Sequence, residues 1–125
     1  MDQKTIFQKT EGDEWYKRNH KKKINFNKEP VVNEIKKIFT SKNYPYKKNK
    51  LLEIGCSDGK KLRFLNKKFG CEVFGVEPSK KAYLKGISNN IYIKNTTADN
   101  TEFRSNFFDI VIFGFFLYLV DKKYI

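Results

Sequence analysis

Glu53, Gly55, Cys56, Ser57 and Gly59 have the types and spacing to hold a nucleotide. They close an apolar run, Leu51-Leu52-Glu53-Ile54, and precede a segment in which Leu62, Leu65 and Phe69 recur at helical spacing. The pattern predicts strand, tight turn, helix. Glycines in such a turn let a ligand approach the backbone closely, and the helix start aims free N–H groups and the positive end of its dipole at that ligand. The chemistry on offer is recognition of a nucleotide-type cofactor at the carboxyl end of the first strand of an α/β sheet. A second candidate group lies 18 residues past Gly59, where Cys71-Glu72-Val73-Phe74-Gly75-Val76-Glu77 reads as a short strand ending in an acid. A carboxylate there offers two acceptor oxygens to the two hydroxyls of a ribose.

The spacing selects among cofactors. Glu53-x-Gly55-x-x-x-Gly59 is neither the dinucleotide fingerprint G-x-G-x-x-G nor the Walker pattern G-x-x-x-x-G-K-[S/T], and Ser57 stands where a middle glycine would be. The pattern resembles motif I of the class I S-adenosylmethionine-dependent methyltransferases. The resemblance implies that the loop of Glu53, Gly55, Cys56, Ser57 and Gly59 lies under the methionine portion and ribose of S-adenosyl-L-methionine, with S-adenosyl-L-homocysteine as product. It implies that Glu77, followed by Pro78, is the ribose acid. After the third strand, Thr96-Thr97-Ala98-Asp99 falls where family members often carry an acid for the adenine amine, which makes Asp99, beside Ala98, the candidate; Asp in a polar loop is also ordinary turn chemistry. Phe107 to Asp121 resembles motif IV, so Phe113 and Gly114 would stand beside the methyl donor, with Leu117 and Tyr118 near the substrate. Glu11 to Asn19 resembles a segment of a subset of methyltransferases, some encoded with surface-polysaccharide genes. That likeness implies a lid of Trp15, Tyr16 and Arg18, and an acceptor that is a small molecule or a sugar or polysaccharide-type intermediate. The competing reading is a helix docking its aromatics on the sheet.

The elements that must position these groups follow in order. Residues 1–10 are polar and read as a loose arm. Asp13 is expected to cap a short helix carrying Trp15 and Tyr16, with Arg18 on the same side as Glu14. Lys21-Lys22-Lys23 reads as a solvated loop. Glu29 to Phe39 reads as a helix with Pro30 near its first turn and Val31, Ile35, Ile38 and Phe39 on one face. The helix after the glycine turn is expected to close at Gly70. Lys80 to Ser88 is expected to be a short helix ending near Gly86, and Ile91-Tyr92-Ile93 the third strand. Asp109 is expected to open the fourth strand, whose unbroken apolar run fits a strand buried in a parallel sheet. The expected fold class is α/β: a Rossmann-like parallel sheet of about four strands in the order 3-2-1-4, with flanking helices and an N-terminal helical segment. Residues 1–49 would form an arm and cover, and residues 50–125 the cofactor-binding portion of one domain. The family usually has seven strands, so the chain reads as a truncated or split methyltransferase fold whose fourth strand needs a homo-oligomer partner or a second chain along its edge.

Composition narrows the function further. The chain has 125 residues, 39% hydrophobic, enough for one modest core. The apolar run from Ile110 to Val120 is shorter than the ~20 residues a bilayer requires, and no apolar leader precedes the fold, so no membrane role and a cytoplasmic setting are expected. Cys56 and Cys71 form no C-x-x-C pair. His20 is the single histidine, which argues against a His-based metal site or a Ser/His/Asp triad. The net charge of +12 keeps an RNA methyltransferase open as an alternative. Only three of the 26 basic residues are arginine, however, the residue suited to bidentate phosphate contacts, so nucleic acid is not favoured. A non-catalytic cofactor-binding fragment is the other alternative. No N-P-P-Y or D-P-P-Y string follows the fourth strand, which argues against adenine-N6 or glutamine methylation. No catalytic base is assigned.

Overall fold

The computed structural model describes residues 11–41 and 49–114. Their order is α1 (Gly12–Asn19), a 3-10 turn at Phe26–Lys28, α2 (Pro30–Phe39), β1 (Lys50–Ile54), α3 (Lys60–Phe69), β2 (Glu72–Val76), α4 (Lys80–Ser88), β3 (Tyr92–Lys94) and β4 (Ile110–Phe113). All strand pairings are parallel and the sheet order is β3-β2-β1-β4. The expected α/β class and 3-2-1-4 order are therefore present.

Local chemistry sets the helix ends. Pro30 opens α2, and the Glu29 carboxylate accepts from Val32 N at 2.8 Å, which satisfies one of the donors a helix start leaves over. Gly59 precedes α3 with φ +78°, and Gly70 ends it. Ser79 caps α4 by accepting from Ala82 N at 3.2 Å. α4 spans the expected Lys80–Ser88, with Gly86 inside its last turn.

Helix and strand periodicities sort the core into two faces. Leu51 points to the face that receives Val32, Ile35 and Phe39 of α2 and Leu62, Leu65 and Phe69 of α3, together with Ile91, Ile93 and Ile112. Leu52 and Ile54, one residue out of phase, join Val76 on the opposite face. That second face is covered by Ala98, Phe103 and Phe108 from the β3–β4 connection, and Phe74 packs edge-on against Phe103, Phe107 and Phe108. On β4, Val111 and Phe113 on this side stay 44% and 55% exposed. Among the described residues β4 pairs only with β1, so it is the sheet edge expected of it.

Four expectations are corrected in detail. The helix expected to be capped by Asp13 starts two residues earlier, at Gly12, and Glu11 before it makes no side-chain cap. Asp13 therefore sits in the first turn, and its carboxylate caps a different helix, α4, accepting from Ser79 Oγ at 2.6 Å and Lys81 N at 3.1 Å. Arg18 pairs with Glu11 at 2.6 Å, while Glu14 is taken by Lys17 at 3.2 Å. Strand β3 is shifted one residue on, to Tyr92–Lys94. β4 begins at Ile110, and Asp109 before it accepts from Lys50 N at 2.8 Å and ties the starts of β1 and β4 together.

Candidate functional site

The carboxyl ends of β1, β2 and β4 meet at the glycine turn. Gly55 N and Cys56 N both donate to Val76 O, at 2.8 and 3.1 Å, so the turn after β1 is pinned to the end of β2. Gly55 and Gly59 have φ of +79° and +78°, and Ser57 between them is also left-handed at +54°. An L side chain pays a steric cost there, which identifies Ser57 as the position where the middle glycine would be easiest to accommodate. Gly114 N donates to Ile54 O at 2.9 Å, and a Cβ on Gly114 would lie 2.7 Å from Gly55 O. The exit of β4 thus lies against the turn, which brings Phe113 and Gly114 to the same end of the sheet.

Glu77 joins the two loops. One carboxylate oxygen accepts from Ser57 N at 2.8 Å and the other from Ser79 N at 2.7 Å. Asn95 Nδ2, from the exit of β3, holds the carbonyls of Glu77 and Pro78 at 2.9 and 3.1 Å. Burial pushes the Glu77 carboxyl up to about 7, against the pull of the two N–H donors. A carboxylate has about four acceptor positions, so two remain for hydroxyl donors.

Glu53 is buried beneath the turn. Burial pushes it to about 7 as well, although Lys61 Nζ stands 3.4 Å from Oε2 and draws it down. Its Oε1 has no hydrogen-bond partner among the described residues. An orphaned buried acceptor is costly, and a ligand donor would relieve it. Lys61 also reaches Glu29 at 3.6 Å, so the start of α2 is tied to the same cation.

Other expected residues fall into place unevenly. Cys56 turns inward: its Sγ would be 2.4 Å from a Cβ on Gly75, and burial holds the thiol well above its ordinary pKa, with the charges of Glu53 and Glu77 adding to the effect. Its Sγ donates to Ser57 O at 3.6 Å within the turn, and the raised pKa disfavours the thiolate that nucleophilic chemistry needs. Ala98 packs against Leu52, Ile54 and Val76. Asp99 is exposed and accepts from Thr97 Oγ1 at 2.5 Å. Tyr16 is buried and donates to Asp58 Oδ2 at 3.0 Å. Burial, then the Asp58 charge, raise its phenol pKa. Trp15 is half-buried and Arg18 exposed, so of the three lid candidates only Tyr16 contacts the glycine turn through a described hydrogen bond. Tyr118 lies outside the described residues, as do Leu117 and Asp121.

Asp58, Lys61, Ser79 and Asn95 escaped the sequence reading, and Asp13 was read only as the cap of its own helix. Ser79 alone carried a usable local signal, a hydroxyl one residue before a helix. The others act across segments far apart in the chain.

The donor set fits an adenosyl cofactor: a buried acid with spare acceptor positions, an orphaned buried oxygen, and a left-handed turn feeding a helix start. Residues 52–124 match the profile of a family described as a methyltransferase domain. No curated protein matches the chain in sequence. Among solved structures it is similar to magnesium protoporphyrin IX methyltransferase from Synechocystis PCC 6803 with bound SAM, with TM-score 0.68, 15% identity, and 99% of this chain and 67% of that one covered. It is similar to a chain of the complex between the Haloferax volcanii Trm112 methyltransferase activator and a provisionally assigned methyltransferase, with TM-score 0.56, 16% identity, and 97% and 51% covered. A provisionally assigned sarcosine dimethylglycine methyltransferase from Galdieria sulphuraria gives TM-score 0.54, 16% identity, and 82% and 34% covered. At such identities the likeness is one of fold, and the chain spans from about a third to two thirds of these structures' lengths. The profile match covers more than half of the chain, and with the 3-2-1-4 sheet and its glycine turn on the page the conclusion is direct: the chain belongs to the methyltransferase domain family, of the class I S-adenosylmethionine-dependent type.

Proposed function

We propose that this chain is the cofactor-binding portion of an S-adenosylmethionine-dependent methyltransferase acting on a small molecule or a sugar-type intermediate. The observation that carries the reading is Glu77, buried at the end of β2, bridging both loops and retaining acceptor capacity for two hydroxyls. Bound in the loop, the sulfonium would supply an already activated methyl group, so the protein's work is largely positioning. The left-handed turn would lie under the methionine portion, Glu77 would hold the ribose, and Asp99 would reach the adenine amine. Glu53 Oε1 would take a donor from the ligand. Phe113 and Gly114 would flank the methyl donor. The acceptor class rests on the likeness of residues 11–19 to a segment of a subset of methyltransferases, some encoded with surface-polysaccharide genes. The net charge of +12 supports an RNA acceptor as the second reading, which steep salt dependence of RNA binding would distinguish. The exposed Val111 and Phe113 on β4 support a covering element from the same protein or a second chain.

Calorimetric titration with S-adenosylhomocysteine, with NAD as control, tests the reading. We expect micromolar binding of the former alone. Glu77→Ala should weaken it by roughly 1.5–3 kcal/mol, about 10- to 150-fold, the range for hydrogen bonds to a charged group. A change of less than about twofold would remove Glu77 as the ribose acid.

A further inference from the structure

Helix α1 is bound to the rest of the protein in an unusual way for so short an element. It has eight residues, too few to be stable alone. Among its side chains only Tyr16 is buried, whereas α2 buries Val32, Ile35 and Phe39. Its docking therefore depends on polar contacts, and these end on the two loops of the cofactor site. Tyr16 Oη donates to Asp58 Oδ2 at 3.0 Å, in the turn after β1. Asp13 Oδ1 accepts from Ser79 Oγ at 2.6 Å and Lys81 N at 3.1 Å, at the start of α4. The two loops are already joined to each other by Glu77, which holds Ser57 N and Ser79 N. The contacts close a ring: Ser57, Glu77, Ser79, Asp13, the body of α1, Tyr16, Asp58, and back along the chain to Ser57. Four of its six residues are buried, with Ser79 1%, Asp58 6%, Glu77 6% and Tyr16 7% exposed, while Asp13 and Ser57 are half-buried. Beside the ring, Lys60 Nζ donates to His20 O at 2.6 Å and fastens the end of α1 to the start of α3.

We infer that α1 is a wall of the cofactor site, with Asp13 and Tyr16 as positioning residues that hold the Asp58 turn and the Ser79 helix start around Glu77, so that docking of α1 and occupancy of the site stabilise each other. The idea rests on the cofactor reading for the nature of the occupant, but the ring itself does not. In the cofactor reading Glu77 is the member that would hold the ribose, and its aim depends on where Ser57 N and Ser79 N stand. Both of those N–H groups belong to loops that α1 grips. A ligand that fixes the loops fixes the seat of α1, and reciprocity requires the converse. Asp13 is suited to the task because its charge is stabilised where it sits: burial works against it, but the Ser79 hydroxyl, the Lys81 N–H and the nearby Lys81 and Lys17 ammonium groups hold its carboxyl below the usual range.

The test uses the full chain in two measurements. The first is amide hydrogen exchange without ligand, comparing wild type with Tyr16→Phe, which keeps the ring stacked on His20 and removes only the hydroxyl. Exchange should quicken about threefold or more at residues 57–59 and 79–82 while α2 and α3 hold their protection. The second is S-adenosylhomocysteine titration of Tyr16→Phe, Asp13→Ala and Asp13→Asn. Tyr16→Phe and Asp13→Ala should bind about three- to tenfold more weakly, the scale of one lost hydrogen bond, and Asp13→Asn, which keeps an acceptor oxygen, should recover much of the loss. Unchanged exchange in both loops, or variant affinities within about twofold of wild type, overturns the coupling. If exchange quickens but wild type itself does not bind S-adenosylhomocysteine, the positioning of the loops by α1 is supported and the cofactor reading fails.

Discussion

Ser57 concentrates the cost of building the turn. Its φ of +54° is the left-handed region, between two glycines that occupy it freely. An L residue there loses about 1–2 kcal/mol, while glycine would lose about 0.5–1 kcal/mol through the added freedom of the unfolded chain. The steric cost is the larger, so Ser57→Gly should stabilise the chain by up to about 1 kcal/mol, read as a higher denaturation midpoint at unchanged slope. The N–H that reaches Glu77 is kept in the variant, so loop geometry is retained. Cys56, next along, is a packing residue: its thiol lies over Gly75, and burial keeps it protonated.

Elements meet here by close backbone approach as much as by side-chain burial. Strand β2 passes under the glycine turn at Gly75, where an added Cβ would lie 2.4 Å from Cys56 Sγ and 3.1 Å from Leu62 Cδ1. Both neighbours are buried in the larger core cluster and have little room to yield. Gly75→Ala should therefore destabilise by about 1–3 kcal/mol, the overpacking range, in a urea titration. An unchanged midpoint would mean that the turn can lift off β2 freely, which the Gly55 and Cys56 bonds to Val76 O argue against. Helix α1 shows the opposite manner of attachment. α2 is seated by apolar residues at helical spacing, whereas α1 is seated by one carboxylate and a phenol whose partners belong to other segments.

For the molecule as a whole, two buried acids set the response to pH. Burial raises both Glu53 and Glu77 from 4.5 to about 7. Between those values the folded state holds protons that the unfolded chain has released, so stability must fall as pH rises. Their contribution is fully present below about pH 4.5, is lost through about pH 7, and is flat beyond. The urea midpoint should accordingly decline between pH 5 and 7.5, and Glu53→Gln, which cannot ionise, should flatten part of the slope. A midpoint that rises over this window would show that neither acid is protonated in the folded state. Ligand affinity should move the other way, since ribose hydroxyls donate best to an ionised Glu77.

The sequence by itself determined the strand–turn–helix units, their order and the location of the glycine turn. Each of these rests on a local rule: apolar runs make buried strands, period-3.6 stripes make docked helices, and glycine spacing marks a left-handed turn. Glu77 was legible for the same reason, as an acid at a strand end with a glycine turn at the right distance before it. Asp13 was legible only as a helix-capping residue, because a carboxylate near a helix start signals capping without saying which helix it caps. Its true partner, Ser79, lies 66 residues away, and Asp58 lies 42 residues from Tyr16. Those meetings, the burial of Glu53 beside Lys61 and the aromatic cover of the second face depend on where whole segments pack. Only the tertiary structure decides that, because side-chain hydrogen bonds and burial are set by distance in space, and no local pattern encodes it.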